Sequence, residues 1–300
     1  MFCPGIITAM VTPFTDRGEL DPTGAESLAR WLVKHGSDAL LVAGTTGEAP
    51  TLSNEERERL FYAVRRGAGT APIYMGTGSN DTRHAVQLSL QAEAWGADGL
   101  LVVTPYYNRP TQEGLFRHFT EIAGRLSIPV MLYNVPGRTG CNLEAHTVAR
   151  IAKECRNVIA VKEAAGRLDS VEALCQECPE LRIYTGDDAL YYPALTVGAC
   201  GVVSVASHVV GLEMAALASA LARGDVIEAR ALHFLLEPIF RGLFIWPNPT
   251  AIKWLLNHLG IPVGPLRLPL LYPEDTHAME LIRMRVEEIW RQRADSSEAI

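Results

Sequence analysis

The chain has 300 residues, 48% of them hydrophobic and 20% charged, an ordinary globular mixture that excludes a disordered or collagen-like polymer. Its 27 Lys and Arg against 34 Asp and Glu leave a net charge of −7 with no basic block, which argues against nucleic acid or an anionic membrane surface as partner. Small anionic substrates stay open, because a few local cations can override the mean field.

No basic residue precedes Arg17, so the amino terminus lacks the charged start of a secretory leader. From there short apolar runs alternate with amphipathic segments. The runs cover residues 6–11, 39–42, 73–75, 100–103, 130–133, 158–161, 182–184 and 201–205. They are short and rich in Val, Ile and Leu, as expected of parallel strands covered on both faces.

Between them lie predicted helices over 23–35, from Ser53 onward, and over 82–95, 113–126, 143–154, 168–177 and 188–197. Leu28, Trp31 and Leu32 form the stripe of the first. Ser53 followed by Glu56 is a capping-box signature for the second. Gly36, Gly96 and Gly198 stand where helices should stop. Residues 189–212 lack Asp, Glu, Lys and Arg, long enough to raise the question of a membrane span. Their glycines, serines and Pro193 favour a helix, a turn and a buried strand instead.

Beyond the eighth strand the pattern turns helical, over 213–222, 226–240, 250–259 and 273–292, with a frayed end over 294–300. Strict β/α alternation with eight strands predicts an α/β fold, a (β/α)8 TIM barrel with a C-terminal all-helical appendage. Residues 1–224 would form the barrel and 225–300 the appendage; an open doubly wound sheet is the alternative.

Six cysteines are too few for a disulfide framework. Cys175 and Cys178 have CxxC spacing with no second pair, so two thiols near a helix end in a reducing cytoplasm is the plain reading. Gly76-Thr77-Gly78 follows a strand, but Asp81 replaces the third small residue of a dinucleotide fingerprint. There is no P-loop, and the histidines show no metal-ligand spacing. No metal, flavin or nicotinamide is called for.

In such a barrel the chemistry sits where the strands end. Lys162 closes an apolar run, so its amine lies in or beside the core. Burial disfavours a charged lysine, and a neutral amine is a nucleophile that can form a Schiff base with a carbonyl substrate. A snorkelling lysine is the plain alternative. Pairing with Glu163 is disfavoured, because neighbours on a strand face opposite ways. Tyr133 ends the preceding strand and could move protons, or could be a buried tyrosine with a satisfied hydroxyl. Thr45 and Thr46, between glycines, could hold a carboxylate or simply form a turn. Arg138 could grip a carboxylate bidentately or stay solvated.

The ordered motifs Gly44-Thr45-Thr46-Gly47-Glu48, Thr104-Pro105-Tyr106-Tyr107-Asn108, Tyr133-Asn134-Val135-Pro136-Gly137-Arg138-Thr139-Gly140 and Lys162-Glu163-Ala164 resemble the dihydrodipicolinate synthase family. These are class I, pyruvate-dependent aldolase-like lyases, and the wider family includes N-acetylneuraminate lyase. Gly186-Asp187-Asp188-Ala189, Gly201-Val202-Val203-Ser204-Val205 and Pro247-Asn248-Pro249 extend the match to about residue 268.

The resemblance implies that Lys162 forms an imine with pyruvate. It implies a proton relay of Tyr133, Thr45 and a neighbouring subunit's Tyr107. Thr46, Gly186 and the Val203 backbone would bind pyruvate, and Arg138 the carboxylate of L-aspartate 4-semialdehyde. It further implies no cofactor, a cytoplasmic homotetramer built as a dimer of tight dimers, and a place in lysine and diaminopimelate biosynthesis. Two other readings compete: a sibling aldolase acting on a 2-keto-3-deoxy sugar acid, and a silent keto-acid-binding sensor. Asn54, Arg57 and His84 occupy the positions that bind inhibitory lysine in enteric members. His84 there replaces a glutamate, which implies weak or absent lysine inhibition. Trp246 also departs from the family pattern, with no consequence that follows from sequence.

Overall fold

The structure is a computed structural model, and it describes residues 5–298, with side chains to residue 295. Residues 1–4, which open the stretch read for a leader and include Cys3, and the last two residues lie outside the described residues. Eight parallel strands close on themselves in sequence order: β1 (Ile6–Ala9), β2 (Ala39–Val42), β3 (Ile73–Gly76), β4 (Gly99–Val103), β5 (Val130–Asn134), β6 (Val158–Glu163), β7 (Arg182–Thr185) and β8 (Gly201–Ser204). Each apolar run of the sequence is therefore a barrel strand.

Helices α1 (Pro22–Lys34), α2 (Asn54–Ala68), α3 (Thr82–Trp95), α4 (Gln112–Ala123), α5 (Pro136–Thr139), α6 (Ala145–Glu154), α7 (Leu168–Glu177) and α8 (Tyr191–Thr196) follow the strands. Then come α9 (Ser207–Ala222), α10 (Val226–Gly242), α11 (Thr250–His258) and α12 (His277–Glu298).

Local chemistry sets these boundaries. Ser53 Oγ accepts from the Glu56 amide at 3.2 Å while Glu56 Oε2 accepts from the Ser53 amide at 3.0 Å, the reciprocal cap expected of α2. Asp81, which spoils the dinucleotide pattern, caps α3 by accepting from the Arg83 amide at 3.0 Å. Gly36, Gly96 and Gly198 have φ of +98°, +92° and +106°, the left-handed turns that let the chain leave a helix.

Three boundaries differ from expectation. The four-residue α5 is too short to show a period. α9 begins at Ser207 rather than 213, because its first turn is buried on every side and breaks period at Val210, with φ −130° and ψ 30°. α12 starts at His277, where Asp275 Oδ1 accepts the His277 amide at 3.0 Å, and runs to Glu298. Of the stretch expected to fray, residues 294–298 continue a helix already registered by Met279, Val286 and Ile289 in the core, and residues 299 and 300 lie outside the described residues. Residues 189–212 form α8, a turn, β8 and the start of α9. No helix among the described residues is long and apolar enough to cross a membrane.

Strand alternation divides the core in two. Ile6, Leu40, Leu100, Leu132, Val161, Ile183 and Val202 face the helices. Ile7, Leu41, Leu101, Met131, Ala160, Tyr184 and Val203 fill the barrel interior. Because Ala160 points inward, the two-residue period aims Lys162 inward and Glu163 outward.

Just beyond the β1–β8 pairing that closes the barrel, a buried histidine ties the two segments together. His208 hydrogen-bonds through Nδ1 to the Val205 carbonyl at 2.8 Å and accepts from the Val11 amide through Nε2 at 3.2 Å. Only a neutral ring can accept at Nε2, and burial pushes its pKa down to about 4. In the unfolded chain histidine binds its proton near about 6.5. Between those values the unfolded chain holds the extra proton, so the stability contribution is present above the upper value and is lost as pH falls. We expect His208 to remove on the order of 3 kcal/mol of stability over that interval. Denaturant melts of His208→Asn and the parent at both pH values measure it; equal pH slopes would refute it.

Candidate active site

The carboxyl ends of the strands open into a cavity of about 440 Å³ lined by Thr45, Thr46, Tyr133, Arg138, Lys162 and Gly186, among others. Six of the eight site residues expected from sequence therefore meet in one space. The other two do not line it. Val203 lies in the interior apolar cluster, with Val205 reaching the cavity in its place. Tyr107 is 90% exposed, in left-handed backbone at φ +75°, outside the cavity of its own chain.

Lys162 is 7% exposed and sits on β6 directly beside Tyr133 of β5, its Cα partner in the sheet. Its Nζ lies 4.4 Å from the centre of the Tyr133 ring. Glu163 does not pair with it. That carboxylate accepts from Asn134 Nδ2 at 2.9 Å and from the Ala165 amide at 2.7 Å. Burial raises the Glu163 pKa despite those bonds.

Room for the lysine is made by Gly186, which follows β7. A Cβ there would stand 2.7 Å from Lys162 Cε and 2.7 Å from Ala164 Cβ. Only glycine lets this loop pass so close.

Opposite, Thr46 is 3% exposed and its Oγ1 accepts from Asn248 Nδ2 at 2.9 Å. Thr45 is half-buried beside it. Arg138, on the exposed side of α5, stands at the rim. Asp188 supports the far wall by accepting the Val205 and Ala206 amides at 3.0 and 2.9 Å, and burial pushes its pKa up to about 6.

Asp187, named in the motif that follows β7, also lines the cavity, and so do Asn248, Arg241 and Phe244, to which sequence reasoning gave no role. Asn248 was visible only as part of an Asn-Pro motif. Arg241 stands in the last turn of α10 and Phe244 just beyond it, with no local mark of function. Arg241 pairs with Glu237, whose hydrogen bond holds the guanidinium pKa high.

Among the described residues no three His, Cys, Asp or Glu side chains are grouped to hold a metal ion. The CxxC thiols lie at the end of α7, and burial raises both pKa values, that of Cys178 to about 11. They stay protonated, as structural cysteines do. Arg57 spends its guanidinium on the Gly76 and Ala49 carbonyls at 3.1 and 2.8 Å, while Asn54 and His84 are exposed. Trp246 meets Trp254 edge to face at 6.4 Å.

Residues 3–287 match the model of the Dihydrodipicolinate synthetase family. The 4-hydroxy-tetrahydrodipicolinate synthase of Moorella thermoacetica is 51% identical over 268 residues, covering 89% of this chain and 91% of that one. The solved 4-hydroxy-tetrahydrodipicolinate synthase of Methylacidiphilum fumariolicum SolV superposes with a TM-score of 0.92 at 41% identity, over 95% of this chain and 96% of its own. The lysine-bound enzyme of Cyanidioschyzon merolae gives 0.91 at 42% identity, over 94% and 97%.

Proposed function

This chain belongs to the dihydrodipicolinate synthetase family, and from that membership we propose how its cavity divides the chemistry. The activity is lyase-type 4-hydroxy-tetrahydrodipicolinate synthesis from pyruvate and L-aspartate 4-semialdehyde, a step of lysine and diaminopimelate biosynthesis. The sugar-acid aldolase reading is not favoured, since the relatives compared are synthases.

Lys162 attacks the pyruvate ketone as a free amine, and loss of water leaves an iminium. That cation draws electrons from the adjacent methyl group, so a methyl proton is lost and an enamine forms. The enamine carbon attacks the aldehyde, whose oxygen takes up a proton. The semialdehyde's own amine then adds to the imine carbon, closes the ring and expels the Lys162 amine. Every proton is returned and no redox partner is required.

Tyr133, Thr45 and the partner subunit's Tyr107 carry these protons. Thr46, Gly186 and the backbone at Val203 receive the pyruvate carboxylate, and Arg138 receives that of the semialdehyde. In the homotetramer of tight dimers proposed with this activity, the exposed Tyr107, which lies outside the cavity of its own chain, is the side chain offered to the partner copy. Residues 1–224 act as the barrel, and residues 225–300 as a helical unit that reaches back through Asn248. The five described cysteines are free, which fits the reducing cytoplasm.

The observation that carries this reading is the buried Lys162 amine set against Tyr133 on the cavity floor. Product assays with L-aspartate 4-semialdehyde against 2-keto-3-deoxy sugar acids test it, and turnover of the sugar acids alone would overturn it. Arg138→Ala is expected to raise the KM for the semialdehyde by about 10- to 100-fold, the worth of a charge-assisted bond. Borohydride trapping of pyruvate in that variant should stay near the parent level.

A further inference from the structure

Glu48 closes the loop that carries Thr45 and Thr46, and it is a charged residue 3% exposed. Its partner is distant in sequence. Lys253, on α11, is fully buried and donates to Glu48 Oε1 at 2.8 Å, to the Thr12 carbonyl at 3.0 Å and to the Pro265 carbonyl at 2.6 Å. All three ammonium protons thus have acceptors. The second carboxylate oxygen accepts from the Arg267 amide at 2.8 Å. Neither residue lines the cavity.

Burying such a pair is a poor way to stabilise a fold. The desolvation of two ions offsets their attraction, and apolar replacements of similar volume are often as stable. Burial drives the Lys253 pKa down to about 8 even with Glu48 facing it, a measure of that cost. What an ion pair supplies and an apolar contact does not is direction.

Direction is what this loop needs. Ala43 and Glu48 have φ of +52° and +53°, left-handed backbone for residues that carry a Cβ. Such conformations persist where the surroundings over-determine them. Here three successive residues are fixed. Thr46 accepts from Asn248, Gly47 accepts from Thr12 Oγ1 at 2.6 Å, and Glu48 holds Lys253.

We propose that Lys253 is a positioning residue, whose buried bridge to Glu48 sets the Thr45–Thr46 loop in register to receive the pyruvate carboxylate. This rests on the reading that Thr46 binds that carboxylate. Lys253 thereby tunes capture of the first substrate from behind the loop, without lining the cavity itself.

The test compares the full-length parent, Thr46→Val, Glu48→Gln and the double variant Glu48→Gln/Lys253→Met. Melting temperature, steady-state kinetics for both substrates and borohydride trapping over a range of pyruvate are read. The double variant should fold, with half-maximal trapping at about ten-fold higher pyruvate. Its KM for the semialdehyde should stay within about two-fold of the parent. Glu48→Gln guards against a double variant that does not fold. The amide NH2 that replaces one carboxylate oxygen is a donor and faces either the Lys253 ammonium or the Arg267 amide, so one of the two bonds is lost. Its pyruvate saturation should shift in the same direction. Folded bridge variants with parental pyruvate saturation, beside a shifted Thr46→Val, overturn the positioning role alone. An unshifted Thr46→Val overturns the carboxylate reading and the positioning role with it.

Discussion

Lys162→Ala should leave a folded protein that borohydride and pyruvate no longer label, with kcat/KM lowered by on the order of 10⁴-fold or more. In the proposed mechanism the amine supplies a covalent electron sink that neither Tyr133 nor Thr45 can replace. Lys162→Arg is expected to fare no better, since a guanidinium stays protonated and cannot form an imine. Stability should hardly suffer. The amine faces the cavity and Glu163 is satisfied by Asn134 and Ala165, so no buried partner is orphaned. Mass spectrometry after trapping gives the answer directly: a reduced pyruvate adduct at any other lysine would remove Lys162 from the mechanism.

Gly186→Ala should be nearly as damaging, though it adds a single methyl group. That group would sit 2.7 Å from Lys162 Cε and from Ala164 Cβ, well inside van der Waals contact. The flexible lysine gives way on one side, while on the other Ala164 Cβ is fixed to its backbone and the loop at 186 must itself shift slightly. A displacement of about 1 Å in a nucleophile costs on the order of 10²-fold in rate. The loss should appear in the rate of adduct formation at saturating pyruvate, with the melting temperature within a few degrees of the parent. Parental trapping rates in Gly186→Ala would show that the clearance has no bearing on the amine.

The fold was legible because each strand is a short β-branched and leucine-rich run bounded by a helix signal, and eight of them in strict alternation leave few topologies. Lys162 was legible for the same reason, since a lysine ending such a run has nowhere else to point. The cavity's remaining wall was not. Asn248, Arg241 and Lys253 lie far along the chain from the strands they serve, and nothing in a local window marks contact across that separation. Gly186 was noticed as part of a motif, but its function is a clearance, which only coordinates reveal. The early start of α9 escaped because a helix buried all round has no polar face to set a period.

The ring of strands has a consequence for how this molecule can meet its own copies. A sheet joined β8 to β1 offers no unpaired row of amides and carbonyls, so strand addition to its edge is closed to the folded barrel. Any association of subunits must run through helix surfaces and loop tips. Those can be altered by point substitution without disturbing the hydrogen-bonded wall that carries Lys162.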